Sequence, residues 1–446
     1  RVQQAAYSLI PESEKKATHL KIGQLLLHNT TEQERKDNIF ALVNQLNFGT
    51  NLLTTQSEKD ELAQLNLIAG QKAKAATAYE VAVNYLNVGL ALLSQDSWES
   101  RYDLIFTFYL EAAEAEYLNA NLERAGILCD RTLEKTKTIL EQVKLSELKI
   151  KLELAKNQIQ SALDTGLQVL ETLGVNLSES PPQELNIEEL ANLPEMTDPY
   201  KFAAMQILLL IFPPACFGDA KLSLPILYTM LDLSSQYGNS SPAIYAYCNY
   251  GGIVTWKIPD IDYAYQLGQL ALNVLHKLNA KEFRCKASLT FCITIQHWKQ
   301  HTRNTIEPLR QAIQDGLEVG DIEFACHTAD FYCAHLFFVG EHLEFVADRL
   351  EQYIDFVNKF KQEYQLNLLR IFAQAVSNIR GESENKCKLI GNDFNEVEIV
   401  PQFIEQQNVI CLLYVYVFKS RLCYLFKDYS NSLENAELAA RYSHFV

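Results

Sequence analysis

The chain has 446 residues, about three times the length of a usual single domain, with 48% apolar and 21% charged residues. That length argues against one compact core, and the composition excludes wholesale disorder. Seventeen Gly and 12 Pro are too few for the turn-dense texture of an all-β chain, and a net charge of −16 repels a nucleic-acid backbone.

Residue 1 is Arg, and Met196, Met205 and Met230 all lie inside, so the sequence reads as a segment of something longer. Pro11 opens a first helical stretch. Ile39, Leu42, Val43 and Leu46 then fall at helical spacing on one face, closed by Gly49. Ser57 before Glu58-Lys59-Asp60 marks a second start. Tyr79, Val83, Leu86, Leu90 and Leu93 repeat the amphipathic pattern one helix pair later. Val409 to Val417 is β-branched, but its flanks carry it past strand length, and helix is expected there.

Small residues recur in the tetratricopeptide arrangement, one midway along a first helix and two in the second, twelve and nineteen positions on. Gly70, Ala82 and Gly89 match, with Leu86 between them. Gly252, Ala264 and Ala271 match, with Gly268 at the intermediate position. Ala113, Ala125 and Thr132 match more loosely, and Ala162 with Val169 belongs to the same series. The expected fold is all-α: about a dozen antiparallel helices stacked in pairs as a degenerate tetratricopeptide-like, right-handed superhelix. Two breaks interrupt it. Residues 175–199 carry Pro181, Pro182, Pro194 and Pro199 and read as an exposed hinge between a first half, 57–174, and a second, 200–446. Arg380 to Pro401 reads as a long loop within the second half.

The apolar runs Ile207 to Phe212, stopped by Pro213-Pro214, and Val409 to Phe418 fall short of the ~20 residues of a membrane span. Ten Cys without a CxxC pair fit buried single thiols in a reducing cytoplasm. Phosphate-binding loops, GxGxxG and GxSxG are absent, and Phe217-Gly218-Asp219 is not in kinase order. His444 lacks the flanks of a phosphoacceptor. Four Cys and five His lie between 285 and 342, but Cys285/Cys292 and Cys326/Cys333 are each seven residues apart, about 10 Å along a helix, too far for one zinc. His297 and His301 have workable spacing but no third ligand. No catalytic, cofactor-binding or metal residue is expected. Tyr245, Tyr247 and Tyr250, and Phe331, Tyr332, Phe337 and Phe338, are expected to pack between repeats. Glu111, Glu114 and Glu116 are expected to be solvated. With Gly252 as the small residue of its helix, repeat geometry puts Asn249, Trp256 and Lys257 on the partner-facing side; the alternative is that Trp256 packs against the next pair.

Further landmarks carry a resemblance. They are Arg1 to Pro11 with Thr18-His19-Leu20, then Val43-Asn44-Gln45-Leu46-Asn47, Lys72-Ala73-Lys74, Trp98, Tyr102 and Ala113-Glu114. Met196-Thr197-Asp198-Pro199-Tyr200 and Tyr237-Gly238-Asn239-Ser240 follow. Together these resemble the helical-repeat region after the AAA-type, winged-helix ATPase module of cyanobacterial multi-sensor hybrid serine/threonine–histidine kinases. The resemblance implies that 1–56 is the end of a winged-helix-like segment, with His19 structural. It also implies a non-catalytic cytoplasmic arm relaying between ATPase, GAF and histidine-kinase modules. ATP and magnesium are expected only in those flanking modules. The alternative is a free-standing adaptor that holds a protein or peptide; neither reading involves nucleic acid or a membrane span.

Overall fold

The computed structural model describes residues 10–94, 97–181, 186–257 and 260–443. The described residues are helices and short connections, without a strand; two isolated bridges, Glu195 with Asn239 and Ile390 with Asn395, are the only sheet-like pairings among them. The chain divides into two compact units, Arg1–Val175 and Asn176–Val446.

In the first unit α1 (Glu12–Asn29), α2 (Glu32–Asp37) and α3 (Ile39–Phe48) precede three antiparallel pairs. These are α4 (Gln56–Ala75) with α5 (Tyr79–Leu92), α6 (Tyr102–Leu118) with α7 (Leu122–Leu133), and α8 (Ile139–Ala155) with α9 (Ile159–Thr172). Ile39, Leu42, Val43 and Leu46 are all buried, in the same core as α4 to α8. The stretch before α4 therefore shares the core of the first repeat. His19 sits there, its Nδ1 2.6 Å from Gln45 Oε1 and its ring 4.4 Å from that of Phe48. The start signal of α4 lies two residues earlier than Ser57: Thr55 caps the helix and Glu58 closes a reciprocal capping box. The acidic face of α6 differs from expectation. Glu111 and Glu114 pair with Lys74, and Glu116 is buried, accepting from Asn121 Nδ2 at 2.7 Å. A buried carboxylate needs such partners, and α4 and the following corner supply them.

The second unit opens with the short α10 (Ile187–Asn192). It continues with α11 (Pro199–Gly218), α12 (Ala220–Tyr237), α13 (Ser241–Lys257) and α14 (Ile261–Leu278). Next comes α15 (Arg284–Phe291), prolonged by a π-helical stretch, Cys292–Gln296, and a last turn, His297–Lys299. The remaining helices are α16 (Ile306–Val319), α17 (Ile322–Phe338), α18 (Leu343–Lys359), α19 (Glu363–Arg380), α20 (Glu396–Glu405), α21 (Val409–Leu425) and α22 (Tyr429–Tyr442). Val409 to Val417 is helical, as its flanks required. Pro213 and Pro214 do not stop α11, which runs through them to Gly218, although each lacks the N–H that would bond the carbonyl four residues back, at Leu209 and Leu210. This helix holds an 18-residue window, Pro199–Cys216, apolar enough to cross a membrane by length and composition, and half of that window is buried inside the fold.

The repeat glycines are sites of close approach. A Cβ on Gly70 would lie 2.6 Å from Leu86, and one on Gly89 2.5 Å from the Phe108 ring. Gly251 and Gly252 receive Ile295 and Thr294 of the π-helical stretch, and a Cβ on Gly268 would lie 2.3 Å from the Phe291 ring. Gly268→Ala should therefore destabilise the chain by about 1–2 kcal/mol in urea denaturation. Overpacking of ~1–3 kcal/mol exceeds the helix-propensity gain of up to ~1 kcal/mol. Unchanged or raised stability would mean that Phe291 gives way.

The segment expected to be an exposed hinge is exposed at most of its described residues but is also hydrogen-bonded to the second unit at several points; 182–185 lie outside the described residues. Ser178 N donates to Thr229 Oγ1 at 2.8 Å, and Leu190 is buried. Asn239 N donates to Pro194 O and Met196 N to Asn239 O, at 2.8 and 2.7 Å. Asn239 Nδ2 donates to Leu190 O at 2.7 Å, and Tyr247 Oη, at the centre of the core, donates to Asn239 Oδ1 at 2.8 Å. The prolines prevent one continuous helix, but a buried asparagine supplies the bonds the irregular backbone needs. The long loop is also shorter and tighter than expected. It spans 381–395, Pro401 lies inside α20, and Leu389 and Phe394 are buried. Asn378 Nδ2 donates to Lys388 O at 2.7 Å, and Phe394 N to Gln374 Oε1 at 3.4 Å.

Candidate functional site

Five helices of the second unit, α11, α13, α17, α19 and α21, line a groove of 470 Å³. Its walls are Pro213 of α11, Tyr245 of α13, Glu323, Phe324 and His327 of α17, Tyr364 and Gln365 of α19, and Ile410 of α21. Helical spacing explains the arrangement, because residues 323, 324 and 327 recur on one face of α17. Tyr245 and Phe324 meet edge to face at 6.4 Å, and Tyr245 meets Phe212 likewise at 6.1 Å. Glu323 is the one formally charged wall residue. Lys286 lies over the Phe324 ring at 4.7 Å but is paired with Asp321 at 3.2 Å.

Beneath this groove the polar groups are under-satisfied. His327 Nδ1 is buried and has no hydrogen-bond partner, and burial holds its pKa down at about 4, so the ring is neutral at pH 7. One turn on, both carboxyl oxygens of Asp330 are buried and unpartnered, and burial raises its pKa to about 7. Tyr364 and Tyr414 lie within electrostatic reach of Asp330, and their hydroxyls are pushed up by burial and by that carboxyl. Native interiors hold few such groups. The arrangement suits binding: apolar and aromatic walls, a neutral imidazole, and a carboxyl ready to accept or to donate. Burial raises the thiol of Cys411, next to the wall residue Ile410, to about 12, so it stays protonated at pH 7.

The residues singled out for partner contact lie on α13, outside this wall set. Trp256 is 78% exposed, so it does not pack against the next pair, and Lys257 is exposed beside it. Asn249 is half-buried and donates Nδ2 to Tyr245 O at 2.8 Å, which places it one turn from the groove. Sequence reasoning missed His327 and Asp330; a polar pair three apart within a largely apolar helix was the available signal. The four Cys between 285 and 342 are all buried. Cys292, Cys326 and Cys333 belong to the core, His297 and His335 bond Cys292 O and Thr305 Oγ1, and His301 accepts from Arg303 N. His444 lies outside the described residues.

No protein-family profile matches the chain. Hybrid signal transduction histidine kinase G of Dictyostelium discoideum is 23% identical over 426 residues, covering 82% of this chain and only 12% of that protein. Among solved structures, a Rap protein complexed with competence and sporulation factor superposes with a TM-score of 0.53 at 11% identity, over 86% of this chain and 98% of that one. A signal transduction ATPase with a tetratricopeptide repeat sensor, from Pyrococcus horikoshii, gives 0.46 at 11% identity, over 89% of this chain and 54% of that one. The fold is a helical repeat of the tetratricopeptide type.

Proposed function

We propose that the chain is a non-catalytic helical-repeat arm of a multi-domain cytoplasmic sensor kinase, and that the groove of its second unit holds a protein or peptide segment. On this reading occupancy of the groove is relayed between an ATPase module and a histidine-kinase module, which alone bring ATP and magnesium. The observation that carries it is the groove itself: aromatic walls above His327 and Asp330, whose buried polar atoms have no partner among the described residues. The 82% coverage against a hybrid histidine kinase supports the signalling context. The free-standing adaptor remains a second reading, favoured by the match to nearly the whole length of a Rap protein.

Glu323 and Trp256 are exposed, so both can be changed without touching the core. Glu323→Lys and Trp256→Ala should each weaken capture of the flanking ATPase or histidine-kinase modules by roughly tenfold or more, as anchor residues do, with the melting temperature unchanged. Calorimetric titration with those purified modules checks this. Full binding by both variants would remove the groove and α13 from the interface. Binding to neither module, with retained binding to an unlinked peptide, would favour the adaptor.

A further inference from the structure

Three potential ligands from three elements converge at the end of the second unit: Cys387 in the 381–395 loop, Cys423 in the last turn of α21, and Asp428, which caps α22. Their sulfur and carboxylate atoms all lie within 4.8 Å of one another, the only such trio among the described residues. We propose that they form a site for one zinc ion, or a comparable borderline-soft divalent cation, with a water in the fourth position.

The three are positioned by the backbone rather than by chance rotamers. Asp428 N donates to Cys423 O at 2.8 Å, so these two residues face each other across a tight corner. Cys387 N donates to Asn385 Oδ1 at 3.0 Å, and Asn378 holds the loop on either side through Lys386 O and Lys388 O. Zinc–sulfur bonds of ~2.3 Å and zinc–oxygen bonds of ~2.0–2.2 Å make tetrahedral edges of about 3.5–3.8 Å. Closing from 4.8 Å is then a matter of small side-chain rotations. Asp428 Oδ1 and Oδ2 accept from Asn431 N and Nδ2 at 3.3 and 2.7 Å, which orients the carboxylate and leaves a lone pair on each oxygen. Two thiolates with one carboxylate favour zinc over magnesium or calcium, which take oxygen ligands. Binding would replace both S–H bonds by S–Zn bonds, releasing two protons to the buffer. The ion would staple the loop to the last helix pair.

The test uses the full chain, reduced and freed of metal. Titrated with Co²⁺, it should show one equivalent of tetrahedral thiolate charge-transfer absorption, displaced by Zn²⁺. Cys387→Ser and Cys423→Ser should each weaken binding by about a hundredfold or more, while Cys216→Ser, at an exposed thiol elsewhere, should leave it unchanged. Zinc should raise the melting temperature of the parent chain and not of Cys387→Ser, whose loop position leaves the metal-free fold intact. Absence of charge-transfer absorption, zinc retention by both serine variants, or a Cys387–Cys423 disulfide persisting under thiol reductant would each overturn the proposal.

Discussion

Asp330→Asn should stabilise the protein, and by an amount that grows with pH. Folding lifts the Asp330 pKa from 3.8 to about 7, because its carboxylate is buried without a hydrogen bond. The folded state therefore holds a proton that the unfolded state gives up between these values. The protonated group's contribution is fully present below 3.8 and is lost as pH rises to 7. At 1.36 kcal/mol per pH unit the loss reaches about 4 kcal/mol by pH 8. Asparagine keeps the shape of the neutral acid at every pH. The variant should thus gain about 1 kcal/mol over the parent at pH 4.5 and about 4 kcal/mol at pH 8, read from urea midpoints. His327 and His335, both held down at about 4 by burial, destabilise the fold as pH falls below 6.5, but they do so in both proteins and cancel in the difference. A difference independent of pH would show that Asp330 is not held protonated.

The second large effect belongs to Asn239. Truncation to alanine removes two hydrogen bonds, one from Tyr247 Oη and one to Leu190 O, while Leu193 N still bonds Leu190 O and Ser234 still bonds Tyr247. At ~0.5–1.5 kcal/mol per bond, Asn239→Ala should lose about 1–3 kcal/mol. The loss has a place as well as a size. In the parent chain residues 187–199 should resist limited proteolysis, since their backbone is bonded to Asn239 and Leu190 is buried. In the variant they should become the first cut, mapped by mass spectrometry. An Asn239→Ala protein as stable as the parent, with 187–199 still protected, would show that the backbone bonds of Asn239 alone hold the segment.

These two residues show what was legible in the sequence. Apolar spacing identified helices such as Ile39–Phe48, and small residues such as Gly70 and Gly89 marked where helices meet. Both signals are local and periodic. The landmarks Met196 to Tyr200 and Tyr237 to Ser240 stood out as text, yet nothing in the text said that they touch. The structure joins them through Asn239 and Met196. The groove was harder. Asp330 and His327 sit on an apolar helix face, and a polar residue there reads as an exception until its missing partners are seen. The corners between helices were hidden too. Gly320 announces its corner, but Thr77, Ala120, Asn157, Lys361, Gln407 and Lys427 adopt the same left-handed backbone without being glycine. Side chains resist that conformation by roughly 1–2 kcal/mol, so composition alone points elsewhere.

Those seven corners are built alike. In each, the left-handed residue is followed by one that donates its N–H to the carbonyl five positions back, as Asn121 does to Glu116 at 2.8 Å and Asp321 to Gly316 at 2.8 Å. That second residue is already the cap of the next helix. The joint is three residues long in six of the seven and two at Gly320-Asp321, with no spare chain to take up a pull. A load applied to one helix cannot be absorbed by a slack link; it passes to the neighbouring helix as a tilt. Over successive joints small tilts add, so a fraction of a degree at each becomes a measurable displacement at the far end of a unit. Each unit thus has the mechanics of a leaf spring, stiff across a pair and compliant along the stack.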